Sequence, residues 1–212
     1  MGDLLAQIFK EESSVKKLKE KLPYIFKIAE LELSRGGHTG MEVGTLRERA
    51  IIAFLIYRFG EDKVLYDMPV NEAEADVKIE GHANPISIKT KTGKGFSGVK
   101  LKWTVDWDKV NEFYNSYLPS SDILFVQINW GFSGFFAYIP LSIQNSVFEE
   151  LGREGYIKLP KQGTNPRGIE ISANALRTCV EKTPFKISID WKIEGELNYN
   201  PYTRWIEIWA ED

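Results

Sequence analysis

Three side chains in this 212-residue chain have types and spacing that could do chemistry: Glu48, Asp76 and Lys89. Asp76 and Lys89 lie on either side of Gly81-His82-Ala83-Asn84, and Val77, Ile79, Ile86 and Ile88 alternate with polar residues around it. That alternation predicts two half-buried strands joined by a tight turn. With the turn centred on His82 and Ala83, Val77 faces Ile88 and Ile79 faces Ile86. Asp76 then stands directly across from Lys89, at a Cβ separation of roughly 5 Å, with Ser87 on the same face. A slip of one residue would mix the apolar and polar sets, so the pattern itself selects the register. The plain alternative is a cross-strand ion pair worth roughly 0.2–1 kcal/mol at a surface.

The surroundings favour chemistry. No acidic residue lies between Glu80 and Asp106, whereas Lys89, Lys91, Lys94, Lys100 and Lys102 all do. A solvated loop can have this composition, and a groove facing phosphates requires it. Two carboxylates and an amine beside such a stretch suit metal-assisted cleavage of a phosphodiester. Oxygen donors select a hard cation, Mg²⁺, which polarises a phosphate and lowers the pKa of a bound water. Lys89 is suited to orient that water or to neutralise charge building on the phosphate.

The elements that must position these groups follow from periodicity. Short helices are expected at 3–9 and 14–22, a break at Pro23, and a further helix at 24–33. A glycine-rich connection, 34–40, leads to Thr45, a plausible cap with Glu48 at capping-box spacing. The helix 46–59 is apolar nearly all round, so it is expected to be buried, and it closes at Gly60. Glu48 aligns with Ile52, Leu55 and Phe59, which turns its carboxylate toward the interior or a cleft; completing the cap is the competing role. Strands at 63–66, 75–80 and 85–91, an amphipathic helix at 107–117 and a doubly buried strand at 122–129 come next. The loop 93–98 lacks the lysine-then-hydroxyl ending of a phosphate loop, so no nucleotide cofactor is expected. Beyond it, a strand at 135–139, helices at 140–151 and 172–181, and strands at 185–193 and 204–209 complete the chain.

The expected fold is mixed α/β in αβββαβ order: a central mixed β-sheet flanked by helices. A single domain spans 1–212, with a core at 44–130, N-terminal helices in 1–40 and α+β additions in 131–212. A hydrophobic content of 43% supplies one sizeable core, and 13% aromatics argue against disorder. The lone Cys179 excludes an internal disulfide and fits a reducing, cytoplasmic compartment. No apolar run has the length of a membrane span, and the start lacks the build of a signal peptide. The net charge of −3 gives no global pull toward nucleic acid. His38 and His82 lie in turns without partners at metal-ligand spacing, and Cys179 is read as packing. Trp191, Trp205 and Trp209 are read as core or subunit interface. Arg167, with Asn165 and Thr164, has the chemistry to meet base edges and equally suits a surface loop.

The order of elements, with an acid on the second strand and Ser87-Ile88-Lys89 on the third, resembles the PD-(D/E)xK family of type II restriction endonucleases over about 44–130. Ala75 replaces the proline expected before Asp76, and Ser87 stands where an acid is expected. The resemblance therefore implies a carboxylate supplied from elsewhere, and Glu48 is its natural donor. Within that family the sequence is more closely similar to the ThaI type, in which the acid is carried by the helix ahead of the sheet. This resemblance implies a restriction-endonuclease-like fold and a Mg²⁺-dependent homodimer cutting double-stranded DNA at CGCG to leave blunt ends. It further implies metal ligation by Asp76, Glu48 and the main-chain carbonyl of Ile88, with Lys89 assisting the attacking water. Met41, seven residues before Glu48, would enter the base stack from the minor groove; the alternative is a loop methionine packed on the core. Lys94, Lys100 and Lys102 would meet phosphates, with Arg167 and, in reserve for Lys89, Lys91 also against the DNA. Two other readings remain open: a structure-specific repair or junction nuclease, and a non-catalytic DNA-binding module whose acid–lysine pair is a salt bridge.

Overall fold

All seven residues of the strand 122–128 are buried, and successive side chains belong to different cores. Leu124, Val126 and Ile128 join one cluster, and Ile123 and Phe125 join the other. Such a strand needs a covering layer on each face, and the rest of the chain supplies both. The computed structural model describes residues 3–35, 38–39, 42–68, 75–193, 195 and 197–211.

In chain order the elements are α1 (Leu4–Lys10), α2 (Glu12–Glu32), β1 (Ser34–Arg35), β2 (His38–Thr39), α3 (Val43–Phe59), β3 (Val64–Leu65), β4 (Lys78–Ile79), β5 (Ile86–Thr92) and β6 (Val99–Lys102), then α4 (Trp107–Ser116), β7 (Asp122–Ile128), β8 (Ser133–Ile139), α5 (Leu141–Tyr156), β9 (Ile157–Lys158), β10 (Ile169–Ile171), α6 (Ala173–Lys182), β11 (Lys186–Asp190) and α7 (Thr203–Ala210). The main sheet runs β11-β8-β7-β5, with β5 parallel to β7 and the other pairs antiparallel. Helices α1–α3 pack on one face of it; α4–α6 and a small sheet, β6-β10-β9, pack on the other. The fold is thus the expected mixed α/β arrangement, with β5 at an edge of the main sheet. Among the described residues no helix is long and apolar enough to cross a membrane.

Several local expectations are corrected. The two helices predicted around Pro23 are one, because Leu18, Leu22, Phe26 and Ala29 form a continuous buried stripe past the proline. That burial holds the helix across the missing N–H donor. Helix α3 starts before Thr45 and is preceded by Glu42, so Glu48 sits in its second turn and completes no capping box. Nor is α3 buried all round, since Ala53 and Tyr57 are exposed. Gly60 does close it, with a φ of 98° that favours glycine.

The hairpin register is displaced by two residues: Val77 bridges Ile86, not Ile88, and Ile79 pairs with Val64 of β3. The turn is drawn away from a tight hairpin by its own side chains. His82 Nε2 lies 2.8 Å from the buried Asp122 carboxylate, Asn84 Nδ2 donates to Asp122 at 3.3 Å, and Pro85 has no donor to extend the ladder. A shift of two preserves which face each side chain occupies. Residues 204–209, predicted as a strand, fall in helix α7. Of the three tryptophans grouped together, Trp191 is core, whereas Trp205 and Trp209 are exposed.

Candidate active site

The site lies at the edge of the main sheet, where β4 diverges from β5. Asp76 just precedes β4, and its Oδ2 accepts hydrogen bonds from the Ile88 amide at 2.6 Å and the Ser87 hydroxyl at 3.2 Å. Lys89 Nζ lies 3.8 Å from the same oxygen, and both side chains remain partly exposed, at 20% and 23%. The displaced register thus makes Asp76 and Lys89 diagonal neighbours instead of directly opposed ones. Ser87 occupies the acid's usual place and orients Asp76 by donating to it.

Ile88 contributes its backbone. Ile86 exchanges bonds with Val77 across this edge, and the Ile88 amide, two residues on, points the same way to Asp76. The N–H and C=O of one strand residue project to the same side, so the Ile88 carbonyl is also directed to the open edge beside Asp76.

Glu48 reaches the site from α3. Its carboxyl is pushed above the ordinary range by burial first and by the Asp76 charge second, with Lys89 and Arg49 opposing. It also lines a cleft of about 890 Å³ with Thr45, Arg49, Leu65 and Tyr66. Arg47, the residue before it, is buried and bonds Glu30 of α2 and, at 3.0 Å, Thr92 Oγ1 at the end of β5. That network ties α3 to the strand carrying Lys89. A buried arginine in an apolar helix was a signal present in the sequence, although its partners lie 17 and 45 residues away.

Two repelling carboxylates and a main-chain carbonyl form an all-oxygen donor set, the kind a hard divalent cation would neutralise. Among the described residues no group of three His, Cys, Asp or Glu side chains is placed to hold a metal ion. A cation here would therefore depend on the carbonyl and on water or phosphate for its remaining ligands.

The other predicted residues are more dispersed. Lys91 shares the Lys89 face of β5 and pairs in register with Gln127; Met41 lies outside the described residues. Lys94 sits over the Phe132 ring at 4.1 Å, in a loop whose Gly93 and Gly95 carbonyls accept from Gln127 Nε2. Lys100 and Lys102 share one face of β6, over Trp103 and Phe113. Arg167 is exposed in the loop before β10, where the Thr164 carbonyl accepts from Trp107 Nε1 at 3.1 Å. His82 is structural, held in a buried network by Asp122, to which Tyr138 also donates at 3.2 Å. Cys179 is buried packing, as expected, and burial pushes its thiol up to about 12.

No curated protein sequence matches this chain. The family model for restriction endonuclease ThaI matches residues 8–211. A solved structure described as a restriction endonuclease in complex with substrate DNA is 48% identical, with a TM-score of 0.90, over 99% of this chain and 100% of that one. An acid, a lysine and a helix glutamate gathered at a sheet edge agree with that match, and the chain belongs to the ThaI restriction endonuclease family.

Proposed function

We propose that this protein is a Mg²⁺-dependent type II restriction endonuclease that cuts both strands of DNA at a short palindrome, acting as a homodimer. The observation that carries the reading is the Asp76–Lys89 pair at 3.8 Å on an open sheet edge, with the Glu48 carboxyl raised by burial and then by the charge of Asp76. In this reading Asp76, Glu48 and the Ile88 carbonyl hold the metal. When bound, Mg²⁺ supplies charge neutralisation and activation of water at the scissile phosphate. Ser87 and the Ile88 amide fix the Asp76 carboxylate in place. The Lys89 ammonium donates to the attacking water and offsets charge on the phosphate in the transition state. The water oxygen forms a bond to phosphorus, the bond to the leaving ester oxygen breaks, and a proton ends on that leaving group. Lys91, Lys94, Lys100 and Lys102 are assigned to phosphates and Arg167 to a base edge. The resemblance drawn from the sequence extends the proposal to CGCG as the target, blunt ends as the product and Met41 as the wedge in the base stack.

Digestion of a plasmid of known sequence tests this. Discrete fragments in Mg²⁺, with ends mapping to one palindrome, are expected. Asp76→Ala and Lys89→Ala should each lose cleavage by about 10²-fold or more while still shifting the target duplex in a gel. Cutting by either variant at near the wild-type rate overturns the site assignment.

A further inference from the structure

Helix α7 has no buried residue. Yet Tyr202, Trp205, Ile206, Ile208 and Trp209 follow helical spacing along one side, with Arg204, Glu207 and Glu211 on the other. The polar side is the tethered one. Arg204 pairs with Glu32 at the end of α2, and the same carboxylate accepts from the Tyr199 hydroxyl. The apolar side therefore faces solvent: Trp209 is 89% exposed, Tyr202 68%, Ile206 59%, Ile208 57% and Trp205 50%.

Together these side chains present on the order of 700 Å², near the roughly 800 Å² each partner buries in a standard interface and above the largest patch on most monomers. We propose that α7 is a subunit interface, its apolar face packed against α7 of a second copy across a two-fold axis. Charge selects that occupant. The cation beside the face, Arg204 over the Trp205 ring at 4.7 Å, is already paired with Glu32, and Glu207 and Glu211 lie on the far side of the helix, so the face offers little to the phosphates of nucleic acid or of an anionic lipid surface. An uncharged aromatic stripe whose neighbouring charge is already paired is complementary to itself, as a two-fold contact requires. The inference rests on the two-subunit reading above and names the surface that joins the subunits.

Sedimentation velocity on the full chain without DNA tests it. The wild type is expected to be a dimer at micromolar concentration. Trp205→Glu/Trp209→Glu should weaken the dimer at least about 100-fold, as losing two tryptophan anchors implies. Its circular dichroism at low temperature should be unchanged, since α7 lies outside both cores. Ile206→Lys should act in the same direction, and Trp205→Phe/Trp209→Phe should stay dimeric. A monomeric wild type, or a glutamate variant that remains dimeric, overturns the proposal. So does a monomer whose DNA affinity falls in the glutamate variant, which would give the face to nucleic acid. A dimer that cuts no DNA would sink the nuclease reading and leave the interface standing.

Discussion

Glu48 holds its proton more tightly than an ordinary carboxyl because it is partly desolvated and faces the Asp76 charge. A carboxyl raised on folding stabilises the fold below its unfolded pKa, and that contribution is lost as pH rises through the raised value. Near neutrality the ionised group is therefore a burden to the metal-free protein. Glu48→Gln should raise Tm in EDTA at about pH 7, and the gain should shrink toward about pH 4, as measured by scanning fluorimetry across a buffer series. A variant less stable than the wild type at neutral pH would show that the two carboxylates do not repel. Asp76 and Lys89 were legible because period-two alternation fixes their shared face, which survives a register shift of two. The inward turn of Glu48 was legible from its alignment with Ile52 and Leu55. What stayed hidden depends on partners far along the chain. Asp122 reads as the start of an apolar run, and nothing nearby shows that His82, Asn84 and Tyr138 converge on it.

Helix α3 carries Glu48, and its second fixed point is Arg47, which bonds Glu30 on one side and Thr92 on the other. Burial lowers the pKa of this guanidinium and Glu30 opposes the shift, so the pair is sustained by mutual contact. Arg47→Ala leaves the partly buried Glu30 carboxylate to Trp130 Nε1 at 2.7 Å and Lys27 Nζ at 3.8 Å. It should cost about 1.5–3 kcal/mol in urea denaturation, and a loss below about 1 kcal/mol, the worth of an exposed pair, would show that α3 is held by apolar packing alone. At this scale the sequence misled wherever tertiary contact outweighed a local signal. Pro23 looked like a break, but four buried side chains spaced along one stripe bridge it. Trp205 to Trp209 looked like a strand because aromatic and β-branched residues dominate it; no sheet edge receives the segment, and it forms a helix. Strand β4 looked like half of a hairpin, yet β3 takes up part of its pairing.

Across the whole molecule the net charge of −3 is unevenly distributed, with the acid-free stretch after Glu80 spread over β5, β6 and the loop between them. The proposed DNA contacts predict steeply salt-dependent binding. Lys100→Ala and Lys102→Ala should each flatten the slope of log K against log salt by about 0.9, read by fluorescence anisotropy over a KCl series. Slopes matching the wild type would remove those lysines from the phosphate contacts. The overall architecture was legible because a doubly buried strand demands two covering layers; the small sheet β6-β10-β9 was not, since two of its strands have three residues or fewer. The lone thiol has a practical consequence. Cys179 is shut inside α6 with its pKa at about 12, so almost none of it is thiolate at neutral pH. A cysteine engineered onto the surface would take up a maleimide or spin label by itself, and distances between two such labels could be read without first removing the native sulfur.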